Sequence, residues 1–134
     1  MLEIPDDWGL AEKVAIVTGG GAAGDGIGNG RAAAILLARA GARVVVVDRD
    51  PALARRTVAM IEESQGRAIA VEADVTQARG CAAMVQATLD AFGRLDLLDN
   101  NVGIGSRGTV VDESEESWRR VMQVNVDSMF LAAK

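Results

Sequence analysis

The sequence predicts an α/β domain: a doubly wound parallel sheet of strand order 3-2-1-4, with helices on both faces. Three observations predict it. Short apolar runs rich in β-branched residues recur along the chain, and each is apolar throughout, as strands buried on both faces are. Segments with helical spacing and helix-end signals separate them. A glycine-rich turn joins the first run to the first helix. The order is β-α-β-α-β-α-β-α, and right-handed crossovers then give 3-2-1-4.

Lys13–Thr18 (KVAIVT) reads as the first buried strand, ending in glycines. Arg31–Ala40 is rich in Ala and Leu and stops at Gly41, a helix with a glycine C-cap. Arg43–Asp48 (RVVVVD) is the second strand. Pro51 to Ser64 fits a helix, with Asp50 as its cap and Pro51 at its first position. Ala68–Asp74 is the third strand. Gln77 to Phe92 is helical, with Cys81, Met84, Val85, Thr88, Leu89 and Phe92 on one stripe. Arg94–Asn100 is the fourth strand. Ser114 to Lys134 opens with an acidic helix start and reads as one continuous helix. Its stripe of Trp118, Val121, Met122, Asn125, Ser128 and Met129 is expected to face inward.

With 134 residues the chain suits one domain, taken as 1–134. The composition is 49% hydrophobic and 25% charged, which is globular. A net charge of −5 argues against nucleic-acid binding through a basic surface. No apolar run is long enough for a membrane span. Met1 to Gly9 carries Glu3, Asp6 and Asp7 and lacks the layout of a signal peptide. The single cysteine, Cys81, excludes an internal disulfide and a cysteine metal site, and the expected setting is cytoplasmic. Cys81 itself reads as a small core residue. There is no His and no Tyr, which removes a Ser-His-Asp triad, a His-ligated metal and a tyrosine acid/base from this chain. No metal site is expected.

Thr18 to Gly30 contains seven glycines in thirteen residues. Glycine lets backbone N–H groups approach a ligand closely, and the following helix N-terminus favours an anion. A pyrophosphate fits both properties; a flexible loop is the alternative. Gly24-Asp-Gly26-Ile-Gly28 and Gly26-Ile-Gly28-Asn-Gly30 both place glycines before the helix, so two registers stay open. Asp48 ends the second strand 20 residues after Gly28, the offset of a ribose-binding acid. A carboxylate there accepts hydrogen bonds from a ribose 2′-OH and repels a 2′-phosphate. Like charges about 4 Å apart cost roughly 4 kcal/mol per unit charge at an effective dielectric near 20. NAD is therefore expected over NADP, although Arg49 offsets part of the repulsion. Asp25 opposes an anion in this loop unless it points outward, which is the expectation here. The Arg55-Arg56 and Arg119-Arg120 pairs read as solvated faces.

These residues carry a family resemblance. Thr18-Gly19 followed by Gly26-Ile-Gly28 resembles the glycine loop of the short-chain dehydrogenase/reductase family. Ala73-Asp74-Val75-Thr76 resembles its adenine-contacting Asp-Val pair, and Asn100-Asn101-Val102-Gly103 its NNAG motif. Trp118 through Asn125 and Val126 resembles the helix with its catalytic Asn. The resemblance covers the chain from about Lys13 onward and implies a Rossmann-like fold binding NAD(P). It implies Thr18, Gly19, Gly26, Ile27, Gly28, Asn29 and Gly30 around the pyrophosphate, and Asp48 and Arg49 at the adenosine ribose. It places Asp74 and Val75 at the adenine, and Asn101, Val102 and Gly103 as a brace under the cofactor. Asn125 is the one implied catalytic residue, kinking its helix and holding a water in a proton relay. From its residues alone, Asn125 reads equally well as a core amide satisfied by backbone groups.

Three departures stand out. The loop between Gly19 and Gly26 is longer than the family's. Val102 replaces the usual Ala. The family's Ser and Tyr-x-x-x-Lys are missing from these residues. The resulting expectation is an oxidoreductase acting on a small carbonyl or alcohol, represented by its cofactor-binding half, truncated within its last helix and inactive alone. A non-catalytic nucleotide-binding or vestigial fragment is the alternative, and a methyltransferase fits the motifs less well. A bare sheet edge and an uncovered helix face lead to an expectation of a homo-oligomer or poor solubility.

Overall fold

The computed structural model describes residues 7–134. Glu3 and Asp6, used in reading the N-terminus, lie outside the described residues. Four strands form one parallel sheet: β1 (Val14–Thr18), β2 (Arg43–Asp48), β3 (Arg67–Glu72) and β4 (Leu97–Asp99). Their order is β3-β2-β1-β4, as the sequence predicts. Ile16 lies beside Val45 on one side and Leu98 on the other. Every residue of β1 is buried, as are Val44 to Val47 in β2. That full burial explains why these runs lack polar alternation.

Helices α1 (Asn29–Arg39) and α2 (Pro51–Glu63) pack on one face. The core there joins Val17, Val44 and Val46 to Ala34, Ala38, Ala54 and Ile61. Helix α3 (Ala78–Phe92) and the C-terminal helical segments cover the other face, where Ile16, Val45 and Val47 meet Met84, Cys81 and Ala132. The helix-end signals act as read. Asp50 accepts hydrogen bonds from the backbone N–H of Ala52 and Leu53, with Pro51 following. Gly41 takes φ +91 just past α1.

The structure departs from the sequence reading at several boundaries. α1 begins two residues early, at Asn29. β3 ends at Glu72, so Ala73 and Asp74 lie past the strand and lead into the turn at Val75 and Thr76. β4 is only three residues long, and Arg94 to Asp96 precede it as a clip. The last helix is not continuous. α4 (Glu115–Met122) passes into a π-helical segment, Gln123–Asp127, and then into α5 (Ser128–Ala133). The expected inward stripe is also wrong in large part. The buried residues are Val124, Ser128 and Ala132, whereas Trp118, Met122 and Met129 are exposed. A π turn holds more residues than an α turn, so Met129, which follows it, falls out of phase with the positions before it; Trp118 and Met122 lie ahead of the π segment on the uncovered side of α4.

Candidate functional site

Parallel strands deliver their C-terminal ends to one edge of the sheet, where the chain reverses into loops. A cleft of about 240 Å³ opens there. Eight of the sequence-predicted residues line it: Gly19, Asp48, Arg49, Asp74, Val75, Asn101, Val102 and Gly103. They come from the ends of all four strands. Thr18 sits behind the cleft, buried; Gly26 to Gly28 lie in the loop before α1, and Asn29 and Gly30 open that helix.

The strand ends are tied together by short polar links. The Asn101 amide group donates from Nδ2 to the Thr18 carbonyl at 3.2 Å and the Gly19 carbonyl at 3.0 Å. Its backbone N–H donates to Thr18 Oγ1 at 3.1 Å, and that hydroxyl donates to the Asp99 carbonyl at 3.1 Å. Thr18 and Asn101 therefore hold β1 and β4 in register below the cleft. Val102 lies against Gly19, where an added Cβ would come within 3.1 Å of its Cγ2.

Asp48 has two tasks. Its Oδ2 accepts from the Gly21 N–H at 3.0 Å, and Oδ1 accepts from the Asp50 N–H at 3.0 Å. It thus anchors the start of the glycine loop while facing the cleft. Asp74 accepts from the Thr76 hydroxyl at 2.7 Å and the Thr76 N–H at 2.9 Å. These bonds favour its charged form and hold its carboxyl below the usual carboxylate range. Cys81, behind this turn, is buried, and burial pushes its thiol up. It is a core residue, as the sequence suggests.

The glycine loop resolves its own register. An added Cβ at Gly30 would lie 2.2 Å from the Gly19 carbonyl oxygen and 2.4 Å from Asn101 Nδ2. Gly28 caps α1 and would meet nothing closer than 3.6 Å, while Ile27 is 63% exposed. The glycine that lets helix and strand approach is Gly30, so Gly28-Asn-Gly30 is the helix-packing register. Gly26-Ile-Gly28, the stretch that carried the family resemblance, belongs to the exposed part of the extended loop. Asp25 points outward, 79% exposed, with its Oδ1 accepting from Arg56 Nε at 2.8 Å. Arg56 is thus a tether as well as a solvated residue, and Arg120, exposed as read, also lines the cleft. Arg119 pairs with Glu115 one turn earlier.

Asn125 lies in the π segment. Its Oδ1 accepts from the Ile104 N–H at 2.8 Å, and its Nδ2 donates to the Ile104 carbonyl at 2.8 Å. The side chain therefore clamps the loop after β4, just past Gly103. The amide is satisfied by backbone, the plainer of its two readings; it stands beside the cleft rather than on its lining.

Sequence reasoning missed Arg31. It is fully buried, and its guanidinium gathers the loop from beneath. A lone arginine at the start of a helix reads as surface, and only its closeness to the glycines hinted otherwise. Among the described residues, no cluster of His, Cys, Asp and Glu is fit to hold a metal. No helix among them is long and apolar enough to cross a membrane.

Comparison with known proteins places this geometry. Residues 13–134 match the family described as short chain dehydrogenase. A 2-(S)-hydroxypropyl-CoM dehydrogenase of Xanthobacter autotrophicus is 41% identical over 125 residues, covering 93% of this chain and 47% of its own. A glucose 1-dehydrogenase of Bacillus subtilis is 39% identical, with 93% of this chain and 47% of its own covered. Among solved structures, a short chain dehydrogenase from Mycobacterium smegmatis superposes with TM-score 0.85 at 35% identity, covering 92% of this chain and 50% of its own. A 3-ketoacyl-(acyl-carrier-protein) reductase from Brucella melitensis, complexed with NADH, gives 0.82 at 37% identity, with 92% and 48% covered. The chain spans about half the length of the curated relatives it matches. With the family match running over residues 13–134, the chain belongs to the short chain dehydrogenase family.

Proposed function

We propose that residues 1–134 are the cofactor-binding half of an NAD-dependent oxidoreductase, one that moves hydride between a nicotinamide cofactor and a carbonyl or alcohol carbon of a small molecule. The observation that carries this is the convergence of Asp48, Asp74-Val75 and Asn101-Val102-Gly103 on one cleft beside a glycine loop. The residues fit a dinucleotide. An added Cβ at Gly21 would lie 2.7 Å from Asp48 Oδ2, and Gly30 has no room for one either. Among the described residues, the backbone amides of Ala22 to Asp25 and of Ile27 to Arg31 have no protein acceptor. They can receive an anion, and the helix N-terminus of α1 favours it.

Asp48 would hold the adenosine ribose, Asp74 and Val75 the adenine, and the glycine loop up to Gly30 the pyrophosphate. Asn101 supports the floor of the cleft, and Asn125 positions the loop at Gly103 and Ile104. The bound cofactor supplies the hydride chemistry, and the chain supplies binding and orientation. Asp48 supports NAD over NADP, because a carboxylate holding the ribose would repel a 2′-phosphate. This reading makes the chain alone inactive, because it has no Tyr or His to serve as acid/base. It sets the protein in the cytoplasm, without nucleic-acid or membrane partners, and as a homo-oligomer.

The test is thermal unfolding with NADH and NADPH at millimolar concentration. Ligand at 100 times its dissociation constant adds about 2.7 kcal/mol to stability. The expected result is an upward shift with NADH that exceeds the shift with NADPH. No shift with either would favour an unliganded remnant of the fold.

A further inference from the structure

Arg31 is a buried cation with no carboxylate partner among the described residues. Its side chain has no solvent exposure. Nε donates to Thr57 Oγ1 at 3.0 Å. Nη1 donates to the Gly24 carbonyl at 2.9 Å and the Gly26 carbonyl at 2.6 Å, and Nη2 to the Ala22 carbonyl at 2.9 Å. Thr57, itself buried in α2, donates its hydroxyl to the Gly20 carbonyl at 2.8 Å. The acid in the loop, Asp25, is turned away and held by Arg56. Burying an ion costs free energy unless its donors are met. Four of the five guanidinium donors are met here, all by oxygens of α2 and the loop.

The pattern along the loop has a direction. Arg31 takes the carbonyls of Ala22, Gly24 and Gly26, every second residue. All the peptide bonds among the described residues are trans, and in a trans peptide the N–H points opposite to the C=O. Drawing those three carbonyls inward turns the amides of Ala23, Asp25 and Ile27 away from the guanidinium. None of these three amides has an acceptor among the described residues. The loop therefore presents the unbonded amides of Ala23, Asp25 and Ile27 on the side away from Arg31.

We propose that Arg31 is a positioning residue. Its guanidinium templates the extended glycine loop so that the amides of Ala23, Asp25 and Ile27 receive the diphosphate of a dinucleotide. Arg31 does not touch the ligand; it acts through the peptides it holds. Thr57 extends the same template to Gly20. The inference rests on the dinucleotide reading above and adds what holds the loop in shape for it.

The experiment is a pair of titrations of the ¹⁵N-labelled chain, followed by amide shifts, with NADH and with adenosine. Adenosine has the adenine and ribose and lacks the diphosphate. In the wild type, NADH should move the amides of Ala23, Asp25 and Ile27 together with those of Asp74 and Val75. Adenosine should move only the second pair. Arg31→Gln should weaken NADH about tenfold or more, the effect of losing charge-assisted hydrogen bonds that shape a site, and leave adenosine unchanged. Arg31→Lys keeps the charge and loses the fork, and should fall between. Should Arg31→Gln fail to fold, Thr57→Val should show the same selective loss to a smaller degree. Equal weakening of NADH and adenosine would reduce Arg31 to a structural role and overturn the proposal. So would wild-type loop amides that stay still while Asp74 and Val75 respond, although the dinucleotide reading would then stand. If NADH moves neither set, that reading falls and this inference falls with it.

Discussion

Gly30 and Gly28 look alike in the sequence, yet only one is irreplaceable in the structure. A methyl at Gly30 would collide with the Gly19 carbonyl and with Asn101 Nδ2. Gly30→Ala should therefore push α1 off the strand ends and cost about 1–3 kcal/mol, the range for overpacking a close-packed contact. Gly28→Ala, whose Cβ would make only ordinary contact at 3.6 Å, should cost far less. Chemical denaturation of the two variants checks the order. Spacing alone left both registers open, because it counts residues and does not know where backbone meets backbone. Asp48 was legible as a cleft acid, but its bond to the Gly21 N–H was not, since that contact depends on how the loop folds back. Arg31 was illegible for the same reason. Asn125 reads in the sequence either as a backbone-satisfied amide or as a catalytic one, and the structure gives it backbone partners at Ile104. Its two bonds to Ile104 give a second expectation: Asn125→Ala should cost about 1–3 kcal/mol and raise amide exchange at Gly103 and Ile104.

At the scale of elements, the four strands were legible because a doubly covered parallel strand must be apolar on both faces. Their ends were less so. Arg94 to Asp96 were read as part of β4, but they form a clip before it. Asp96 Oδ2 accepts from the Val14 N–H at 2.9 Å, and Arg94 pairs with its carboxyl, which is held down to about 2 from an ordinary 3.8. A carboxylate depressed in this way stabilises the fold fully above its unfolded value. That contribution drains away as pH falls through the folded one. Asp96→Asn should therefore melt at a lower temperature than the wild type at neutral pH. The gap should close between about pH 4 and pH 2, as melting curves across that window would show. The last helix misled for a different reason. Its apolar residues form both a buried seam and an exposed surface, and the π segment shifts their phase. Periodicity cannot say which of two apolar stripes is covered.

The whole molecule is a parallel sheet covered on both faces, with β4 a three-residue edge and a second apolar surface left over. That surface runs along α4, the π segment and α5 through Trp118, Met122, Val126, Met129 and Phe130, all exposed. Exposed apolar clusters and open strand edges favour association. The chain should self-associate at high concentration, and light scattering that shows only a monomer would contradict this. The overall architecture was fully legible from the alternation of strand and helix and from right-handed crossovers. The clustering of distant residues on one cleft followed from the topology, since parallel strands bring all their C-terminal ends to the same edge. The central claim is that this cleft and its glycine loop hold NAD. It is tested most directly by titrating NADH against the folded chain and following thermal unfolding. A rise in melting temperature that grows with NADH up to millimolar concentration, and exceeds the rise with NADPH, is the predicted result. A melting temperature unmoved by millimolar NADH would contradict the account.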